Sequence, residues 1–141
     1  MRLVVIDTNV LVSGLLGASR DSPPRFILEA LVRGSLRFAI SEALLVEYRQ
    51  VLLRPRILAC HGLSEREVDR LLAGLVVNAS IREVAPVDTS VAMQGDAHVI
   101  ALLRAVPDPV LVTGDGRLAE EVEPWCLVCT PAEFLAAEFN V

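Results

Sequence analysis

Asp7, Glu47, Asp96 and Asp115 are the residues whose types and placement could do chemistry in this chain. Asp7 ends the apolar run Leu3-Val4-Val5-Ile6, and Asp115 follows a second run, Val110-Leu111-Val112-Thr113, across Gly114. Short runs rich in Val and Ile read as strands buried on both faces. Each run then delivers its Asp to the carboxyl end of a strand, the edge where ligands bind in an open parallel sheet. A charge this close to a buried strand needs pairing or a metal. Two carboxylates brought to one edge from distant parts of the chain therefore suggest a cation site.

The other two acids come from predicted helices. In the segment 41–53, helical spacing sets Glu47 one turn from Ala43 and Val51 and beside Leu44, so apolar neighbours surround it. Glu42 falls on the other side, near Arg49, as a solvated charge. A Glu within an apolar stripe is costly without a partner; the plainer alternative is a Glu snorkelling at the stripe's edge. Asp96 opens an apolar helix, where it would also serve as an N-cap. Asp115 could simply belong to a tight Thr-Gly-Asp-Gly turn, and Asp7 could cap the next helix with Thr8 and Asn9. Asn9 and Thr113 are polar groups at the same edge, suited to orient a carboxylate or a water, or to cap a turn. Oxygen donors of this kind suit Mg²⁺ or Mn²⁺, which typically keep several waters. One or two such ions would activate a water and polarise a phosphoryl centre for in-line attack.

The elements that must position these acids follow from periodicity and punctuation. Strands are predicted at 3–6, 37–40, 81–84 and 110–113, with a weaker one at 125–129. A short helix over 10–16 closes at Gly17. Pro23 and Pro24 suit the first turn of a helix over 24–33, and Gly34 stops it. Ser41 caps a helix reaching about 53, followed by Pro55. Ser64-Glu65-Arg66-Glu67 is a capping box opening a helix to about 77, and Thr130-Pro131-Ala132-Glu133 is another, opening the last helix. A polar loop leads to Gly95, and a helix covers 96–105. Strands alternating with helices predict a three-layer α/β/α fold with a mainly parallel central sheet, in one domain spanning 1–141.

Size and composition narrow the function. A chain of 141 residues holds one domain with a full core, and 53% hydrophobic content argues against disorder. The net charge of −5 excludes a basic nucleic-acid-binding surface of the usual kind, but not an enzyme whose acids hold cations. All 13 basic residues are Arg, which excludes a Walker A loop and Schiff-base chemistry, both of which need Lys. Three cysteines, an odd number, argue against a disulfide framework and fit a reducing compartment. Cys126 and Cys129 form a C-x-x-C, but in a strand-like segment residues three apart face opposite ways, so buried, inert thiols are expected. Asp7 and Asn9 interrupt the N-terminal apolar stretch, against a signal peptide, and no stretch approaches the ~20 apolar residues of a membrane span. Cytoplasmic is the expected location. His98 could face the site from the helix of Asp96, although a lone His on a surface turn is more common. Arg20, Arg25, Arg54, Arg56 and Arg117, near loops and helix ends, are candidates to grip phosphates.

As a set, these motifs resemble the PIN-domain ribonucleases over almost the full length. The resemblance rests on Val-Val-Ile-Asp7-Thr-Asn-Val-Leu and on the 41–55 segment with Glu47 and Val-Leu-Leu-Arg-Pro. It also rests on Asp96 before an apolar helix and on Leu-Val-Thr113-Gly-Asp115. It implies a compact PIN-like α/β/α fold and cleavage of single-stranded RNA. It implies a Mg²⁺ or Mn²⁺ site in which Asp7, Glu47, Asp96 and Asp115 are the metal-binding and catalytic acids. Many small prokaryotic members resemble VapC-like toxins of toxin–antitoxin pairs, so a cognate antitoxin and a second copy in a homodimer are implied partners beside RNA. One departure stands out. Relatives often carry an extra Asp shortly before the third acid, where this chain has Met93-Gln94-Gly95-Asp96, and Asp88 lies eight residues earlier. That places a second metal in question. It also supports an alternative, a PIN-like module that binds RNA or protein without catalysis. A phosphatase using Asp7 as nucleophile fits less well, because Asn9 stands where a second Asp would be needed and no Lys exists.

Overall fold

In the computed structural model, which describes residues 2–17, 22–84 and 96–138, strands and helices alternate as expected. The order is β1 (Val4–Ile6), α1 (Thr8–Leu16), α2 (Pro23–Arg33), β2 (Ala39–Ile40), α3 (Glu42–Leu52), α4 (Pro55–His61), α5 (Glu65–Asn78), β3 (Ser80–Ile81), α6 (Ala97–Ala105), β4 (Val110–Val112), α7 (Gly116–Val122), β5 (Leu127–Cys129) and α8 (Pro131–Glu138). Asp88 and the segment before Asp96, like Arg20, lie outside the described residues.

Every strand pairing is parallel. β1, β4 and β5 form one sheet in that order, and β2 pairs with β3. A bridge between Val4 and Phe38, with the Val4 amide donating to the Arg37 carbonyl at 3.1 Å, joins the two. The spatial order is thus β3, β2, β1, β4, β5. From β1 the strand order runs outward through β2 and β3 in one direction and through β4 and β5 in the other. The crevice between the carboxyl ends of β1 and β4 is therefore the topological switch point, where parallel α/β sheets bind ligands. The register Ile6↔Val112 sets Asp7 and Thr113 level there.

β1 and β4 are buried at every residue, which is why both read as unbroken apolar runs. Helices pack against this sheet along the predicted stripes. In α3 the buried residues are Leu44, Tyr48, Val51 and Leu52, and burying an aliphatic side chain of this size contributes about 1.5–3 kcal/mol. α1 and α2 approach closely at Gly14, where an added Cβ would sit 2.8 Å from the Pro24 carbonyl oxygen. Gly34 ends α2 in the left-handed conformation, φ 76°, which glycine adopts without steric penalty. The capping boxes at Ser64 and Thr130 are both formed.

Several local expectations are corrected. The helix before Pro55 ends at Leu52 as expected, but Pro55 also opens an unanticipated α4, in the helical position where a missing N–H costs nothing. α7 was not anticipated, because Gly116 hides a seven-residue helix behind what reads as a turn. β2 and β3 are two residues each, with β3 starting at Ser80. α1 begins at Thr8 rather than at 10. β5 begins at Leu127, since the Trp125 and Cys126 amides still donate to the Val122 carbonyl at 3.0 and 2.8 Å. Arg49 pairs with Glu65 and Asp69 on α5, each at 2.7 Å, and Glu42 is exposed, as expected. Among the described residues no helix is long and apolar enough to cross a membrane, and Cys60, Cys126 and Cys129 are not joined in disulfides.

Candidate functional site

Asp7 occupies the N-cap position of α1, yet its side chain makes no cap hydrogen bond. It turns instead toward the neighbouring strand, where Thr113 Oγ1 donates to Asp7 Oδ2 at 2.6 Å. The same hydroxyl accepts from the Asp115 amide at 2.9 Å. A hydroxyl that accepts from an N–H must spend its single proton on the carboxylate. Thr113 therefore ties the β4 acid to the β1 acid through one atom, and both Asp7 and Thr113 are buried. Burial pushes the Asp7 carboxyl above the ordinary aspartate value; the Thr113 bond opposes this, and the charges of Glu47 and Asp115 reinforce it.

Asp115 caps α7, its Oδ1 accepting from the Arg117 and Leu118 amides at 2.9 and 3.4 Å. The turn reading of Asp115 and its place beside Asp7 are thus both realised. Asp96 sits at the N-cap of α6 but makes no side-chain cap bond. Burial raises its pKa first, followed by the charges of Asp115, Asp7, Glu47 and Glu121. Asp96 is therefore within electrostatic reach of the other three acids, and Asp7 within reach of Glu47 and Asp115.

Glu47 lies at the edge of the α3 stripe rather than within it: its side chain is 29% exposed, and Ala43 faces solvent. It is not a solvated charge, however. Thr8 Oγ1 donates to Glu47 Oε2, and His98 Nε2 lies 3.1 Å from Oε1. The His98 bond is the main cause of a lowered Glu47 pKa; burial opposes it, while Thr8 and the charges of His98 and Arg54 assist. Tyr48, one residue on, donates to the Ile6 carbonyl at 2.6 Å and pins α3 to the end of β1.

Two members of this network were not predicted as site residues. Thr8 was read only as a capping companion of Asp7, and His98 as able to face the site, with a surface turn the more common case. Nearness to Asp96 on the same helix was the signal for His98, but it did not give the partner. Glu121 was also missed, because it stands on the unanticipated α7. Asn9 is exposed and makes no hydrogen bond to the acids among the described residues; Thr8 makes that contact. Arg54 lies close enough to Glu47 to influence it, whereas Arg25 is engaged with Glu29 at 3.3 Å.

A family model described as PIN domain matches residues 3–117. The chain belongs to the PIN-domain family. PIN domains are in general nucleases and typically use divalent metal ions. The match spans the positions of Asp7, Glu47, Asp96 and Asp115 and ends within α7. No curated protein matches this PIN domain.

Among the described residues, no group of three or more His, Cys, Asp or Glu side chains is drawn together enough to hold a divalent ion. Donor chemistry and charge do fit. The four acids offer oxygen ligands of the kind Mg²⁺ and Mn²⁺ prefer. Asp7 and Asp96 are both raised by burial and by neighbouring negative charge, a penalty that a cation would relieve.

Proposed function

We propose that this PIN domain is a Mg²⁺- or Mn²⁺-dependent endoribonuclease that hydrolyses phosphodiester bonds of single-stranded RNA. The observation that carries the reading is the meeting of Asp7 and Asp115 through Thr113 at the switch point, with Glu47 and Asp96 in electrostatic reach. Asp7, Glu47, Asp96 and Asp115 would hold the ion. When bound, it would supply Lewis acidity at the phosphate and lower the pKa of a water.

The chain's own residues do the rest. Thr113 holds Asp7 in one orientation, and the amide of Asp115 fixes Thr113 in turn. One of these carboxylates would accept the proton of the attacking water. Arg54, exposed beside Glu47, is placed to meet a backbone phosphate. The exposed Asn9 stands next to Thr8 on the first turn of α1, where it can contact incoming RNA. No Ser or Cys nucleophile enters this scheme, so no covalent enzyme intermediate is expected.

The biological setting proposed is a cytoplasmic toxin of a toxin–antitoxin pair, a homodimer held inactive by its antitoxin, with residues 1–141 forming one domain. The test is cleavage of mixed-sequence single-stranded RNA by purified protein with Mn²⁺, Mg²⁺ or EDTA. Metal-dependent cleavage that disappears in Asp7→Asn and Asp115→Asn supports the reading. A second reading, an RNA- or protein-binding module without catalysis, is favoured by the lack of a ready-made ligand group among the described residues. Folded protein that retains RNA but never cleaves it, under either metal, would select that module.

A further inference from the structure

We propose that His98 is a positioning residue that holds the Glu47 carboxylate in place for the cation site; the inference rests on the nuclease reading above. A carboxylate can only accept, so the 3.1 Å contact requires the proton on His98 Nε2. The other ring nitrogen, Nδ1, is buried with no hydrogen-bond partner among the described residues. Glu47 is thus the polar anchor of this ring.

The chain's other histidine shows what a purely structural role looks like. His61 Nε2 lies 2.9 Å from the Leu52 carbonyl, and its Nδ1 accepts from the Leu63 amide at 3.0 Å. Both nitrogens are satisfied at the end of α4. His98 leaves one unsatisfied, an arrangement that is costly in a buried site. A buried polar atom kept at that cost calls for a reason outside packing, and the bond to Glu47 supplies one.

The position of His98 says what that bond achieves. Glu47 is held at one oxygen by Thr8 of α1 and at the other by His98 of α6. Thr8 directly follows Asp7, and His98 stands two residues after Asp96. Each donor therefore ties Glu47 to the helix start that carries another acid. Like charges oppose this approach, since Glu47 repels both Asp7 and Asp96. Without His98, a partly exposed Glu on a helix has water and other rotamers available away from the site. Each held oxygen still has acceptor capacity for a cation.

The test compares Mn²⁺ binding by isothermal titration calorimetry in the wild type, His98→Gln, His98→Asn, Glu47→Gln and the double variant His98→Asn/Glu47→Gln. Thermal unfolding in EDTA runs alongside. The Gln amide reaches where Nε2–H stood, and the shorter Asn amide does not. His98→Asn should weaken Mn²⁺ binding by about 10–100-fold, the usual cost of losing a residue that orients a ligand, while His98→Gln restores most of it. In the Glu47→Gln background His98→Asn should cost little more, because the two act through one bond. Equal binding by the His98→Asn and His98→Gln variants, or a full additional loss in the double variant, overturns the role of His98 and leaves the nuclease reading standing. A folded wild type that binds no Mn²⁺ overturns both.

Discussion

Asp7 and Thr113 stand level on adjacent strands and are buried, whereas Glu47 and His98 meet from two helices and are 29% and 23% exposed in their side chains. The strand-borne half of the site is placed by the backbone ladder. The Asp7 amide donates to the Val112 carbonyl at 3.0 Å, and the Thr113 amide to the Cys129 carbonyl at 3.0 Å. The helix-borne half is placed by side chains, through the bonds that Thr8 and His98 make to Glu47. Burial then acts with opposite results. Asp7 is desolvated more than it is compensated, and its pKa rises; Glu47 receives two donors, and its pKa falls. The strand half stores an unfavourable charge that a cation can relieve. The helix half already has its carboxylate hydrogen-bonded by Thr8 and His98 and depends on orientation.

The largest expected effect would break the comparison at Asp7. Asp7→Asn should lower metal-dependent RNA cleavage by about 10³-fold, a loss typical of a principal electrostatic group. The same change should raise thermal stability in EDTA by roughly 3 °C, on the order of 1 kcal/mol. A variant that loses activity and also melts earlier would remove the idea of stored strain at Asp7.

Thr113→Val comes next. It leaves the Asp7 carboxylate and the Asp115 amide without the hydroxyl that serves both, at an expected cost of about 2–3 kcal/mol by chemical denaturation. Thr8→Val removes one donor from a carboxylate that water can reach, so its cost should be about 1 kcal/mol or less. Equal losses at the two threonines would erase the distinction between the halves.

Tyr48→Phe deletes the bond to the Ile6 carbonyl, and the melting curve should report a loss of about 1 kcal/mol. Since Tyr48 adjoins Glu47, cleavage should weaken as well. Normal activity at reduced stability would show that α3 keeps its place without this bond.

The smallest expected effect is in the pH profile of stability without metal. The folded chain holds the Asp7 proton to a higher pH than the unfolded chain does. It binds the extra proton between the two values, so stability falls as pH rises through that window. Glu47 has the opposite sign: its contribution is present above the ordinary glutamate range and is lost as pH falls through the depressed value. Denaturation series across mildly acidic pH should therefore flatten on their upper side in Asp7→Asn and on their lower side in Glu47→Gln. Unchanged profiles in both variants would assign the pH dependence to other carboxylates.

Much of this architecture was legible in the sequence because it depends on local physics. Apolar runs that stop at Asp7 and Asp115 report strands buried on both faces with polar ends. Ser64 with Glu67, and Thr130 with Glu133, report helix starts, since a capping box is satisfied within four residues. Gly34 reports a stop that needs a positive φ. Two short helices escaped because seven residues, opened by Pro55 or Gly116, carry too few turns to show a periodic face.

The choice of the four acids, Asp7, Glu47, Asp96 and Asp115, came from sequence alone, through run ends, helical spacing and a family resemblance. Of their partners, Thr113 was also read from sequence, as a polar group at the same edge suited to orient a carboxylate, whereas the contacts of Thr8 and His98 with Glu47 were not. Thr8 meets Glu47 across 39 positions, His98 meets it across 51, and Thr113 meets Asp7 across 106. Periodicity tells which face of an element is buried, but not which residue of another element arrives there. Strand order and helix packing decide that, and they bring a hydroxyl to Asp7 and an imidazole to Glu47.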